Sequence, residues 1–323
     1  MGQDLKIILH LGPHKTGSTS IQKNLFAHKE TLARHGIHFL GSSGPYPHLD
    51  SAFMTDPTRN YRNRRAGLSL SDIQARDAQV RDKLFTQLAG LSGTAILSSE
   101  FLCLLDPKEL ARIHRALAQY GQVHALYYYR ELLPWIASNS QQMAKVGRFF
   151  RPSTYEASVR RIHAFPLRIA SEFGTQHSHF LKFEHATKQG MCNSLLRAFG
   201  LVDFDTLGLS ETHENESLSD RAVRAMYLYN IKNPIGSGRR QPQKIAQICA
   251  LPGQKYQIDG LRHHQIRDYA RKRAEVAQKL GFELIPAQDI PRAAKLDAQN
   301  ARQIAPYLPM GERLKALVKS LRR

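Results

Sequence analysis

The segment Gly12-Pro-His-Lys-Thr-Gly-Ser-Thr-Ser20 gathers two glycines, one lysine and four hydroxyl side chains in nine residues. Such a run suits a phosphate. Small residues let the anion approach the backbone, N–H groups at the start of a helix point at one spot, and hydroxyls and an ammonium add charge-assisted hydrogen bonds. The spacing departs from the commonest phosphate loop. That loop, G-x-x-x-x-G-K-[ST], puts lysine directly after its second glycine; here Ser18 holds that place and Lys15 precedes Gly17 by two. A nucleoside-triphosphate phosphotransferase, which also needs an acidic Mg²⁺ ligand, is weakened as a reading. Further along, Ala125-Leu-Tyr-Tyr-Tyr-Arg130 ends in a guanidinium, a planar fork suited to a phosphate, and Ser138 offers a hydroxyl eight residues on. Two side chains are candidates for general base: Glu100, in Leu97-Ser-Ser-Glu100, and His48, in Tyr46-Pro-His-Leu49.

These groups need a scaffold that brings separate segments to one edge. Lys6–Leu11 is a short apolar run that reads as a buried parallel strand. A helix over 19–35 follows the loop, with Ile21, Leu25, Leu32 and Ala33 on one face and Gly36 as its stop. Strands are expected at 37–40, 94–98, 123–129 and 177–183. Helices are expected at 71–91, 107–120, 133–146, 154–173 and 191–199. Residues 41–70, rich in Gly, Pro, Ser, Asn and Arg, show no period and read as a long loop or ordered insertion. Alternating strands and helices give an α/β protein with a parallel sheet. Past Gly200 the strand signals fade and helices are expected at 217–231 and 260–280. One domain over 1–323 is expected, its core in 1–200 and a mainly helical, basic part in 201–323.

The loop, with lysine ahead of a Thr-Gly-Ser-Thr stretch, resembles the 5′-phosphosulfate loop of the PAPS-dependent sulfotransferases. Arg130 with Ser138 resembles that family's 3′-phosphate motif. Ser98-Ser99-Glu100 matches the setting of the base in bacterial and glycan-directed members. The resemblance implies a three-layer α/β/α fold of P-loop NTPase type, with PAPS as donor and PAP as product. A sulfuryl group would pass in line to a hydroxyl or amine, and no metal would be needed. It places His14, Lys15, Thr16, Gly17, Ser18, Thr19, Ser20, Arg130 and Ser138 around the nucleotide. Lys15 would lie near the bridging oxygen, and Glu100 or His48 would act as base. Leu181-Lys-Phe-Glu184 resembles the family's strand–aromatic–Glu element, but His185-Ala186 replaces the usual Asp-Leu, so Glu184 reads as structural. Asn215-Glu-Ser-Leu-Ser-Asp220 resembles a segment of the same members, though Ser217 and Ser219 read more simply as helix caps. Gly236-Ser-Gly-Arg-Arg240 is a candidate for the loop that closes the 3′-phosphate site.

The net charge of +19 is uneven: Arg221–Arg323 holds 21 Lys and Arg against 7 Asp and Glu. A field of that sign attracts polyanions. A nucleic-acid-binding protein would interleave aromatics with the basic residues, and aromatics are sparse there. The charge reads instead as a funnel for PAPS and for an acidic acceptor, a saccharide being the expectation. No run approaches the roughly 18–20 apolar residues that span a bilayer, and Met1–Leu11 has no secretory pattern. Three scattered cysteines fit a cytoplasmic protein, and His263-His264 has no partners at metal spacing.

Overall fold

The structure, a computed structural model, describes residues 4–148, 159–212, 217–257 and 263–281. Its contacts divide the chain into two compact units, Met1–Arg130 with Ile162–Glu214, and Glu131–Arg161 with Asn215–Arg323.

The first unit holds a five-stranded, wholly parallel sheet in the order β2-β3-β1-β4-β5. Its strands are β1 (Leu5–His10), β2 (Ile37–Phe39), β3 (Gly93–Ser98), β4 (Gln122–Tyr129) and β5 (Ser178–Lys182). β1, β3 and β4 are apolar on both faces because helices cover both. On one face Ile8, Ile96, Leu126 and Tyr128 pack with Ile21 of helix α1 (Ser18–Ala27) and Leu195 and Leu196 of a helix near the end of the unit. On the other, α6 (Pro107–Ala118) and α8 (Phe165–Phe173) lie against β4. The result is the expected three-layer α/β/α arrangement.

Local chemistry sets the ends of these elements. The pattern over 19–35 breaks at His28, so α1 is followed by a separate α2 (Lys29–Arg34). The segment after β2 is ordered by two short helices, α3 (Leu49–Phe53) and α4 (Tyr61–Ala66). The next helix, α5 (Leu70–Ala89), starts ahead of Ser71 because Ser69 Oγ accepts from the Asp72 amide. Pro107 opens α6 behind a reciprocal cap between Asp106 and Glu109. Beyond β5 come α9 (Phe183–Gln189), not foreseen in the sequence, and α10 (Met191–Ala198).

The second unit is helical: α7 (Leu132–Lys145), α11 (Asp220–Lys232), α12 (Pro242–Cys249) and α13 (His263–Leu280). At the start of α7, Glu131 accepts from the Tyr269 hydroxyl and from Arg273 Nη2 at 2.6 Å, which ties α13 to α7. Asn230 Nδ2 donates to the Ala144 carbonyl at 2.8 Å and ties α11 to the same helix. Ser219 caps α11, accepting from the Ala222 amide at 3.0 Å, while Ser217 is exposed. Residues 154–158 of one expected helix, Asn215 and Glu216, and the last forty residues lie outside the described residues. Among the described residues no helix is long and apolar enough to cross a membrane.

Candidate active site

In the order β2-β3-β1-β4-β5, the chain leaves β1 toward β2 and leaves β4 toward β5. The two connections diverge at the carboxyl ends of neighbouring strands, where open α/β sheets form their ligand crevice. The Gly12–Ser18 loop follows β1 and Arg130 follows β4. The backbone ladder runs into the loop, since the Leu11 amide donates to Leu126 O at 3.0 Å and the Tyr128 amide to Gly12 O at 3.3 Å. Arg130 Nη1 then donates to the carbonyl of Lys15, so the two candidate anion-binding segments touch. The Arg130 guanidinium lies 4.4 Å from the Phe183 ring centroid. Burial lowers its pKa and the charge of Glu184, in the first turn of α9, raises it. Its Nε is buried with no hydrogen-bond partner among the described residues.

Within the loop, Lys15 and Gly17 take left-handed backbone at φ 70 and 78, which turns the chain into α1. No acidic side chain stands in the first turn of α1. Helix geometry leaves the amides of Ser18, Thr19 and Ser20 without intrahelical acceptors. Ser18 Oγ is buried there with no hydrogen-bond partner among the described residues, whereas Thr19 is exposed. The other two hydroxyls serve the loop's own structure: Thr16 Oγ1 donates to Pro13 O at 2.6 Å and Ser20 Oγ to Thr212 O at 2.9 Å. An orphaned hydroxyl, an orphaned guanidinium nitrogen and a run of helix-start amides at one crevice suit the phosphates of a nucleotide.

Glu100 comes from the end of β3 and meets the loop directly. A Cβ added to Gly12 would lie 2.8 Å from Glu100 Cα, so only glycine allows this approach. Glu100 Oε1 lies 3.8 Å from His14 Nδ1, and His14 packs edge-on to Phe101 at 4.8 Å. Behind Glu100, Gln22 Nε2 donates to Glu100 Oε2 and to Ser98 Oγ, each at 3.1 Å. Ser98 Oγ in turn lies 2.8 Å from His10 Nδ1. His10 and Gln22 were not singled out in the sequence, although a histidine closing an apolar strand and a glutamine on the apolar face of α1 were available signals.

His48 belongs to the segment joined to β3 by the Tyr46 amide, which donates to Ser98 O at 2.9 Å. It sits in a polar cluster of Asp50, Ser51, Asn63, Arg76 and Asp77, where Ser51 Oγ donates to Asp77 Oδ2 at 2.6 Å and Arg76 Nη1 to Asn63 Oδ1 at 3.0 Å. Burial, then Arg76 and Arg62, lower the His48 pKa, while Asp77 and Asp50 raise it. Arg62, paired with Asp50, lies 4.2 Å from the Phe101 ring centroid. The structure therefore brings the loop, Glu100 and Arg130 together and hangs the His48 segment from the same strand end. Ser138 is half-buried on α7, in the second unit. Tyr127, Tyr128 and Tyr129 are core residues, each no more than 2% exposed. Among the described residues no group of three His, Cys, Asp or Glu could hold a metal ion.

No family model matches the chain, and no curated protein matches it. Solved structures similar to it include a sulfotransferase from Alicyclobacillus acidocaldarius, 14% identical, covering 88% of this chain and 98% of that one at a TM-score of 0.47. The sulfotransferase domain of the Synechococcus PCC 7002 olefin synthase is also 14% identical, with 88% and 97% covered and a TM-score of 0.37. Retinol dehydratase, solved with androsterone and the inactive cofactor PAP, is 11% identical, with 88% and 83% covered and a TM-score of 0.34.

Proposed function

We propose that this chain transfers a sulfuryl group from PAPS to a hydroxyl or amine of an acceptor. The observation that carries the reading is the contact of Arg130 Nη1 with the Lys15 carbonyl. It joins the two segments proposed to hold phosphate, 115 residues apart, at the ends of β1 and β4. A nucleotide with phosphates at both the 5′ and 3′ positions needs two such segments.

PAPS, when bound, supplies an activated sulfuryl group on a nucleotide that leaves as PAP. The chain's own residues position and neutralise. The loop amides, Lys15, Ser18 and Thr19 hold the 5′ end, and Lys15 offsets charge that develops on the departing side. Arg130 holds the 3′-phosphate. Glu100 takes the acceptor's proton, favoured over His48 because it packs against Gly12 itself. The acceptor is a saccharide in this reading, supported by the basic excess of the chain, and the site of action is cytoplasmic, in keeping with three cysteines that form no disulfide.

Thermal unfolding with PAP, set beside ADP and ATP with and without Mg²⁺, tests the donor. A ligand at about 100 times its Kd stabilises the fold by about 2.7 kcal/mol. A shift with PAP that is independent of Mg²⁺ is expected. A shift with ATP and Mg²⁺ but none with PAP would return the loop to a phosphotransferase.

A further inference from the structure

A chain of buried groups reaches the Glu100 carboxylate from behind. Gln22 is 1% exposed and Ser98 is 1% exposed. The two protons of the Gln22 amide are both used, one on Ser98 Oγ and one on Glu100 Oε2. A carboxylate only accepts, so the amide nitrogen and not its oxygen must face Glu100. At the far end stands His10, wholly buried, whose pKa burial pushes down to about 4. The ring is neutral near pH 7 and sets no charge behind the carboxylate. One carboxylate oxygen is thus tied back to α1, while the other, Oε1, lies toward His14 on the loop side. Of the three contributing segments, β1 and α1 flank the Gly12–Ser18 loop, and the end of β3 lies beside it.

We infer that Gln22 is the positioning residue for Glu100, fixing Oε2 so that Oε1 is presented to the acceptor's proton. The inference rests on Glu100 being the base. A purely structural Gln22 would tie α1 to β3, and its loss would lower stability and rate alike whatever stands at position 100.

The test is a double-substitution cycle in the full chain. The variants are Gln22→Met, which keeps the volume and loses the donor, Glu100→Gln, and both together. PAPS turnover is followed with water and with desulfated heparin as acceptors, and PAP affinity is measured for each protein. Gln22→Met is expected to lower kcat by up to roughly 100-fold, with KM for PAPS and PAP affinity unchanged. In the Glu100→Gln background the same change should cost nothing further. An equal loss in both backgrounds overturns the inference. Gln22→Glu is the second variant, should the methionine protein not fold. It sets a second carboxyl group beside the first, and because two such groups do not both ionise, the acid limb of the pH–rate profile should move to higher pH. An unmoved limb in a protein that still binds PAP overturns the inference as well. Full turnover by Glu100→Gln overturns instead the assignment of Glu100 as base, and no turnover by the unaltered chain overturns the proposed sulfuryl transfer itself.

Discussion

Lys15 holds left-handed backbone, at φ 70, while carrying a side chain. For a residue other than glycine that conformation costs about 1 kcal/mol, and here the Arg130 side chain holds the Lys15 carbonyl. A glycine at the same place would relieve the backbone and remove the ammonium. Lys15→Gly is therefore expected to unfold at no lower a temperature than the unaltered protein and to lose sulfuryl transfer. Calorimetry and a PAPS assay on one preparation separate the two effects. Arg130→Ala should act mainly on binding, with the PAP-induced rise in unfolding temperature much reduced. Glu100→Gln should keep that rise and lose roughly 10²–10⁴ in rate.

At the scale of elements, the site depends on how closely the loop after β1 can lie against the end of β3. Gly12 has φ 85, and its missing Cβ leaves 2.8 Å to backbone of Glu100. Gly12→Ala must therefore push the two segments apart. A stability loss on the order of 1–3 kcal/mol is expected, together with slower turnover, because the loop and Glu100 move relative to each other. The segment after β2 shows the same dependence in a polar form. Asp77 accepts from both Ser51 and Arg76 while 3% exposed. Asp77→Ala leaves a half-buried guanidinium without its carboxylate, which costs about 3 kcal/mol, and it should loosen the His48 segment. Denaturant unfolding measures both losses. Normal stability of either variant would show that the contact is not needed for the fold.

For the molecule as a whole, two fields matter: protons and salt. Burial pushes His10 to about 4, and His124 is brought to about 4 by burial and then by His177, His179 and Lys6. An unfolded histidine titrates near 6.5, so between these values the unfolded chain binds more protons. The stabilisation from neutral His10 and His124 is complete above about pH 6.5 and lost as pH falls toward 4. The unfolding temperature is expected to drop between pH 7 and pH 5, and His124→Gln should flatten that drop. The net charge of +19 acts at longer range, where screening sets in over about 10 Å at 0.1 M salt. With an anionic saccharide as acceptor, turnover should fall steeply as salt is raised; a flat response would exclude that acceptor class.

The alternation of apolar strands and amphipathic helices determined the parallel α/β core, because period and capping residues act over a few residues. The same local rules singled out Gly12–Ser20 as a candidate anion loop and marked Ser98-Ser99-Glu100 as a strand end carrying a carboxylate. α9 escaped notice because Phe183–Gln189 has no apolar period long enough to declare a helix. α5 begins at Leu70 and not at Ser71, since the cap is the hydroxyl that meets an amide in space, here Ser69 Oγ on the Asp72 amide. What the sequence left open was assembly. That Arg130 reaches Lys15, that Gly12 yields its side-chain volume to Glu100, and that Gln22 ties His10, Ser98 and Glu100 into one buried chain depend on strand order β3-β1-β4. Strand order is set by contacts between residues tens of positions apart, and no local periodicity encodes it.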